Sequence, residues 1–313
     1  MQSKVSLLRE NVSRVVIGKE GALDLFLVGL IAMGHILVED VPGVGKTLMA
    51  RAIAASCRMK FRRLQCTPDL MPTDVTGFFT YDKKNGEFTF RPGPVMTNIL
   101  LVDEINRAVP RTQSSLLESM EERQATVDGQ TFPLPSPFMV MATQNPIEME
   151  GTFPLPEAQL DRFLLKVDMG YPTAEEEEEI LLTHGKSTAL SRIGDVVSGE
   201  DILSWQDEAA EVFVNPSLTA YIISLVRASR EHPAVELGAS PRGSLALFKA
   251  SKALAFIRER PYVIPDDVKY LAPYVLAHRL LLHREERYRG NTGLSVVADI
   301  LSKYPVPVES DRG

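Results

Sequence analysis

The sequence predicts an α/β protein: a core built on a parallel sheet, followed by an all-helical domain. Three observations carry this. A short apolar run, Ile36-Leu37-Val38, leads into a glycine-bearing turn that ends in Gly45-Lys46-Thr47, the pattern of a buried strand, a phosphate-binding loop and a helix start. Two further apolar runs, 99–102 and 138–143, end in polar residues, Asp103-Glu104 and Gln144-Asn145; unbroken apolar runs of this kind suit strands buried on both faces. From about residue 188 the strand signal fades and helix starters recur.

The elements follow in order. Residues 3–16 place Val5, Leu8, Val12 and Val15 at helical spacing, and Ile17-Gly18 ends that helix. A strongly apolar helix, about 19–33, stops at Gly34. The first strand and the glycine turn come next. Gly43 and Gly45 let backbone N–H groups curl around an anion without Cβ interference. The helix that Lys46 opens points its positive end at the same place. There Lys46 would reach the β- and γ-phosphates of a nucleotide, and the Thr47 hydroxyl would hold Mg²⁺. The general pattern of such loops wants glycine at position 40, where this chain has Asp40. The stretch by itself is also compatible with an ordinary strand–turn–helix.

A helix over 46–57 and a strand over 60–65 follow. Residues 78–90 read as a hairpin turning at Asn85-Gly86. The strand 99–102 delivers Asp103 and Glu104 at its carboxyl end, the edge at which open α/β sheets bind ligands. Asp103 can reach Mg²⁺ through water and Glu104 can polarise an attacking water; a solvated acidic turn is the alternative. A helix over 110–122 precedes a second hairpin, 125–132, turning at Asp128-Gly129. Asn145, at the tip of the next strand, is either a water-positioning amide or a turn former before Pro146. A last core strand spans 163–167, preceded by Arg162, either a surface ion-pair residue or a phosphate contact. Thr173 and Glu176 form a capping box for the next helix. Four more helices are expected at about 200–211, 216–230, 242–258 and 266–279. Arg242 sits in the first turn of one of them, where a cation opposes the helix dipole, so it is either a plain surface arginine or a residue kept for function.

Composition excludes several classes. With 44% apolar and 24% charged residues the chain can bury a proper core. A net charge of −7 argues against a broad nucleic-acid face. Cys57, Cys66 and the five histidines show no metal-ligand spacing, which points to reduced thiols and a cytoplasmic location. The first residues read as an amphipathic helix and not a signal peptide. No apolar run approaches the length of a membrane span.

Five ordered motifs carry a family resemblance. VEDVPGVGKT, LLVDEINRA, ATQNP, PEAQLDRF and SPRG resemble the Walker A, Walker B, first sensor, arginine-finger region and second sensor of the MoxR-type AAA+ ATPases, in the clade with a hairpin insert in its second helix. The match covers nearly the whole chain. It implies a P-loop AAA+ three-layer αβα core over 1–170, with a five-stranded parallel sheet in the order 5-1-4-3-2. A connecting helix, 171–187, and a helical lid, 188–313, complete the expected layout. It implies that ATP or ADP is bound by Pro42, Gly43, Val44, Gly45, Lys46, Thr47 and Leu48, with Ile17 and Gly18 flanking the adenine. Thr47 and Asp103 serve Mg²⁺, Glu104 activates water, and Asn145 senses the γ-phosphate. Arg162 is similar to the finger that enters a neighbouring subunit's site, and Arg242 to the second sensor, acting on its own nucleotide or a neighbour's. Asp40 is expected to matter little, since it precedes the glycines that close on phosphate.

The resemblance further implies a homo-oligomer, a hexameric ring or an open hexamer-like assembly. The two hairpins resemble those lining the pore of related rings. Its action is that of a chaperone-like remodeller of a protein client, such as one with a von Willebrand A domain. Two alternatives share the clade: a nucleic-acid motor like the MCM helicases, and a chelatase motor subunit. The charge of −7, with Lys83, Lys84 and Arg91 as the basic residues of the first hairpin, disfavours nucleic acid.

Overall fold

A computed structural model describes residues 3–41, 43–145, 151–184 and 189–306 of the chain. Two compact units emerge: Met1–Leu155 with Val167–Ser204, and Pro156–Lys166 with Trp205–Gly313.

The first unit begins with α1 (Lys4–Ser13) and α2 (Glu20–Ile31). Then come β1 (Ile36–Glu39), α3 (Lys46–Ser56), β2 (Phe61–Gln65) and α4 (Pro72–Thr76). A hairpin of β3 (Gly77–Asp82) and β4 (Glu87–Pro92) precedes β5 (Ile99–Asp103) and α5 (Pro110–Glu122). A second hairpin, β6 (Gln124–Val127) and β7 (Gln130–Pro133), leads to β8 (Met139–Gln144). Beyond it, α6 (Glu157–Leu160) belongs to the second unit, β9 (Leu165–Val167) and α8 (Gly199–Ala210) run across the division, and α7 (Ala174–His184) lies in the first.

The sheet order is β2-β5-β8-β1-β9. Numbered as core strands this reads 2-3-4-1-5, the expected order. β2 with β5, β5 with β8 and β8 with β1 all pair in parallel. Every residue of β5 is buried, as are the first five of β8, which explains why both read as unbroken apolar runs. α2 packs closely on the sheet because Gly29 is bare: a Cβ there would lie 2.6 Å from Ile36 Cδ1. The register sets Gln65 beside Asp103 and Val38 beside Thr143, so the carboxyl ends of four strands share one edge.

Both hairpins form, by different turns. β6 and β7 are joined by Asp128 (φ +49°) and Gly129 (φ +77°), a two-residue loop with both positions left-handed. β3 and β4 are joined by four residues, 83–86, because Asp82 pairs with Glu87. The Asp82 carboxylate accepts from the Lys84 N–H and the Asn85 side chain, and Gly86 takes the left-handed position (φ +70°).

His35 is a buried link between layers. Its Nδ1 accepts from the Val140 N–H at 3.0 Å, so Nε2 carries the hydrogen and donates to the Met120 carbonyl at 3.0 Å. Burial lowers its pKa to about 4, against the Met120 bond and with help from the Arg123 charge. The unfolded chain therefore binds the extra proton between pH 6.5 and 4, and stability falls as pH drops through that window. At about 1.36 kcal/mol per pH unit, roughly 2 kcal/mol is lost from pH 7 to pH 5. Urea unfolding at the two pH values should show this loss shrinking in His35→Asn; an unchanged pH dependence would refute the assignment.

The second unit contains α9 (Pro216–Glu231), β10 (Val235–Leu237), α10 (Pro241–Ile257) and α11 (Pro265–Leu276). It ends with β11 (Leu281–Leu282), α12 (Arg284–Tyr288) and α13 (Gly293–Lys303). It is helical apart from short pieces, chiefly the antiparallel β10–β11 ladder. That ladder and the last two helices were not legible in sequence: the strands are two and three residues long, too short for alternation to show.

Candidate active site

β1 is buried and runs straight into the glycine turn. Gly43 (φ +89°) and Gly45 (φ +96°) both take left-handed backbone, which L side chains resist. Gly45 is the N-cap of α3, so the free N–H groups of that helix's first turn lie at the loop. Val44 is buried and Leu48 half-buried. Pro42 lies outside the described residues. The Lys46 Nζ donates to the Asp40 carbonyl at 2.9 Å. Burial lowers its pKa, opposed by the carboxylates of Asp40, Asp103, Glu104 and Asp168.

Asp40 is not the idle position expected. Its side chain is buried. One carboxylate oxygen accepts from the Val41 N–H at 2.8 Å. The other accepts from the Met169 and Gly170 N–H groups at 2.9 and 3.0 Å. Lys19 then clamps the same corner by donating to the Gly170 and Tyr171 carbonyls. The residue that breaks the general motif thus anchors the loop's start to the 168–171 segment. Truncation in Asp40→Ala should strand these buried N–H groups and cost about 1–3 kcal/mol. Urea denaturation checks this; a variant with glycine at 40 that is as stable as the parent would remove the anchoring role.

Asp103 ends β5, and its Oδ1 accepts from the Thr143 hydroxyl at 3.2 Å while Oδ2 pairs with Arg63 Nε at 2.5 Å. Glu104 takes left-handed backbone (φ +56°), uncommon for a non-glycine residue and frequent at functional sites. Its N–H donates to Thr143 Oγ1 at 2.9 Å. Its Oε2 accepts from Gln65 Nε2 at 2.9 Å and Arg107 Nη1 at 3.2 Å. Asn145 follows β8 and is half-buried.

These groups meet in one cavity of about 380 Å³. Gly43, Gly45, Lys46, Thr47 and Leu48 line it together with Asp103, Glu104, Thr143 and Asn145. Its glycine backbone and its lysine suit a polyanion. Among the described residues, no cluster of three or more His, Cys, Asp or Glu could hold a metal by itself. The Thr47 hydroxyl and the Asp103 carboxylate are hard oxygen donors in the same cavity, a set that suits Mg²⁺ shared with phosphates.

Ile17 is buried, and Gly18 takes left-handed backbone (φ +67°), which L side chains resist, next to the Glu176 carboxylate. Glu176 closes the expected capping box with Thr173, bonds of 2.8 and 3.3 Å running both ways.

Two candidates belong to the second unit. Arg162 is half-buried on the turn after α6, and its N–H donates to the Gln159 carbonyl. Arg242 is exposed in the first turn of α10, its N–H capped by Ser240 Oγ at 3.1 Å.

Sequence reasoning missed Arg63, Gln65, Arg107 and Thr143. The signal existed for two of them: Arg63 and Gln65 alternate along β2 beside a buried acidic strand end.

The chain is similar to known proteins over most of its length. Residues 35–165 match the model of the ATPase family associated with various cellular activities (AAA), and residues 227–300 match the AAA lid domain. YeaC of Bacillus subtilis is 52% identical over 96% of this chain and 94% of its own length. Chaperone MoxR1 of Mycobacterium tuberculosis is 47% identical over 87% of this chain and 74% of its own. A solved structure described as an ATPase from Cytophaga hutchinsonii superposes with a TM-score of 0.91, at 38% identity, covering 97% of this chain and 95% of that one.

Proposed function

The chain belongs to the MoxR-type AAA+ ATPases, and from that premise we propose that it hydrolyses ATP at sites completed between subunits and uses the cycle to remodel a protein client. That it is a nucleotide-binding ATPase follows from the family. The single observation that supports the site assignment is the shared cavity, lined by Lys46 and Thr47 together with Asp103, Glu104 and Asn145.

In this reading the loop N–H groups and Lys46 bind the β- and γ-phosphates. Thr47 and Asp103 would hold Mg²⁺, which would supply positive charge against that developing on the phosphates. Glu104, held by Gln65 and Arg107, takes the proton of the attacking water as ATP and water become ADP and phosphate. Asn145 orients that water or the γ-phosphate. Arg162 reaches into a neighbour's site, Arg242 reads the nucleotide state, and Ile17-Gly18 flanks the base. A ring or open hexamer in the cytoplasm is the matching assembly. The mycobacterial relative is named a chaperone, which supports a protein client. The net charge of −7 supports it over nucleic acid. Among the described residues no helix is long and apolar enough to cross a membrane.

Specific ATPase activity measured against protein concentration tests the proposal. It should rise as subunits associate, with single-stranded DNA leaving it unchanged. Activity independent of concentration down to the monomer would refute shared sites. Strong DNA stimulation that collapses with salt would replace the client by nucleic acid.

A further inference from the structure

The second unit contains a buried ion pair that the ATPase reading does not use. Arg279 follows α11 and is almost wholly enclosed, its side chain 3% exposed. Its Nε donates to Asp161 Oδ1 at 2.8 Å. Its Nη2 donates to the Asp161 carbonyl at 3.1 Å and the Phe163 carbonyl at 2.6 Å. Its Nη1 donates to the Leu164 and Val275 carbonyls. One guanidinium therefore grips the backbone on both sides of Arg162, including the carbonyl of the peptide bond that joins Asp161 to it.

The other Asp161 oxygen leads elsewhere. Oδ2 accepts from the Ser240 hydroxyl at 3.0 Å. Ser240 Oγ in turn accepts from the Arg242 N–H at 3.1 Å. An unbroken chain thus runs from the Arg242 N–H through Ser240 to the Asp161 carboxylate and on to Arg279. The Arg279 stem also packs beneath the first turn of α10, where a Cβ on Gly243 would sit 3.5 Å from its Cδ. A planar fork is what this needs: it presents five N–H donors in fixed directions, which a lysine cannot reproduce.

From this geometry we propose that Arg279 and Asp161 are positioning residues that fix Arg162 in the orientation needed for phosphate contact and, through Ser240, register it against Arg242. The proposal rests on the reading of Arg162 as a group acting on a neighbouring subunit's nucleotide. A flexible arginine on a short turn stabilises a transition state only if its backbone is held still. Arg279 holds it from inside the unit, touching no nucleotide itself.

The test compares four full-length variants: Arg162→Ala, Arg279→Lys, Ser240→Ala and Glu104→Gln. Each is assayed for steady-state ATPase, for binding of a fluorescent ATP analogue and for thermal unfolding. Arg279→Lys is expected to keep the analogue's Kd within about twofold and to lose kcat by about 10²-fold or more, since misplacing a catalytic group by an ångström costs about that much. Mixed with Glu104→Gln, whose own Arg162 is intact, it should regain activity just as Arg162→Ala does. Ser240→Ala, which removes one hydroxyl and is expected to fold, should lower kcat several-fold with KM unmoved.

If Arg162→Ala is inactive and rescued on mixing while Arg279→Lys and Ser240→Ala turn over like the parent, the positioning role is wrong and the finger reading survives. If Arg162→Ala itself is fully active or not rescued, the finger reading fails first. Should Arg279→Lys unfold, the kcat and KM of Ser240→Ala decide: a parent-like kcat overturns the proposal.

Discussion

Replacing Arg162 with alanine is expected to leave ATP binding in place and to reduce hydrolysis about 10³–10⁵-fold, the range over which arginine fingers act. The reason is the charge that builds on the γ-phosphate oxygens as the bond to the leaving phosphate breaks. In the proposed reading Lys46 serves the phosphates from the chain's own loop, and Arg162, in the other compact unit, acts on a neighbour's nucleotide. Binding and turnover should therefore separate cleanly. Mixing equal amounts with Glu104→Gln should restore activity wherever an intact Glu104 meets a neighbour with an intact Arg162. In a randomly mixed heterologous ring that is about a quarter of the interfaces. Absence of any recovery, with mixed assemblies demonstrated by a tagged pull-down, would mean that Arg162 does not act across subunits.

Glu104→Gln should show the second large effect, a fall in kcat of about 10²–10⁴-fold with nucleotide affinity retained. Glutamine keeps the shape and one acceptor oxygen for Gln65 and Arg107, which hold Glu104 at 2.9 and 3.2 Å. The left-handed backbone at 104 and its Thr143 bond are properties of the main chain and survive the change. What goes is the ability to accept a proton. Phosphate release and fluorescent-nucleotide titration on the same preparation separate the two effects; near-parental release would remove Glu104 from the water-activating role. The same variant, held in its ATP state, is the natural bait for a client protein.

Legibility differed from residue to residue, for physical reasons. The left-handed Gly43 and Gly45 and the helix start at Lys46 could be read because a tight turn constrains adjacent residues, so its requirements are written within one short stretch. Asp128-Gly129 could be read for the same reason, and its turn is the predicted one. Asn85-Gly86 predicted a hairpin but not its four-residue loop, because the strand pairing was set by Asp82 opposite Glu87. The anchoring bonds of Asp40 could not be read because the N–H groups that donate to its carboxylate, those of Met169 and Gly170, lie about 130 residues on.

By itself, the sequence determined the order of the core strands and of most helices, the glycine turn before α3, the acid pair at the end of a buried strand, and the family, since each depends on local spacing or on motifs in a fixed succession. Only the tertiary structure decided how those pieces are held: Thr143 and Gln65 on the acid pair, Asp40 on the loop, Arg279 on the turn that carries Arg162. Such contacts join segments distant along the chain, and no local pattern encodes them, because a hydrogen bond depends on where folding brings two groups and not on how many residues separate them.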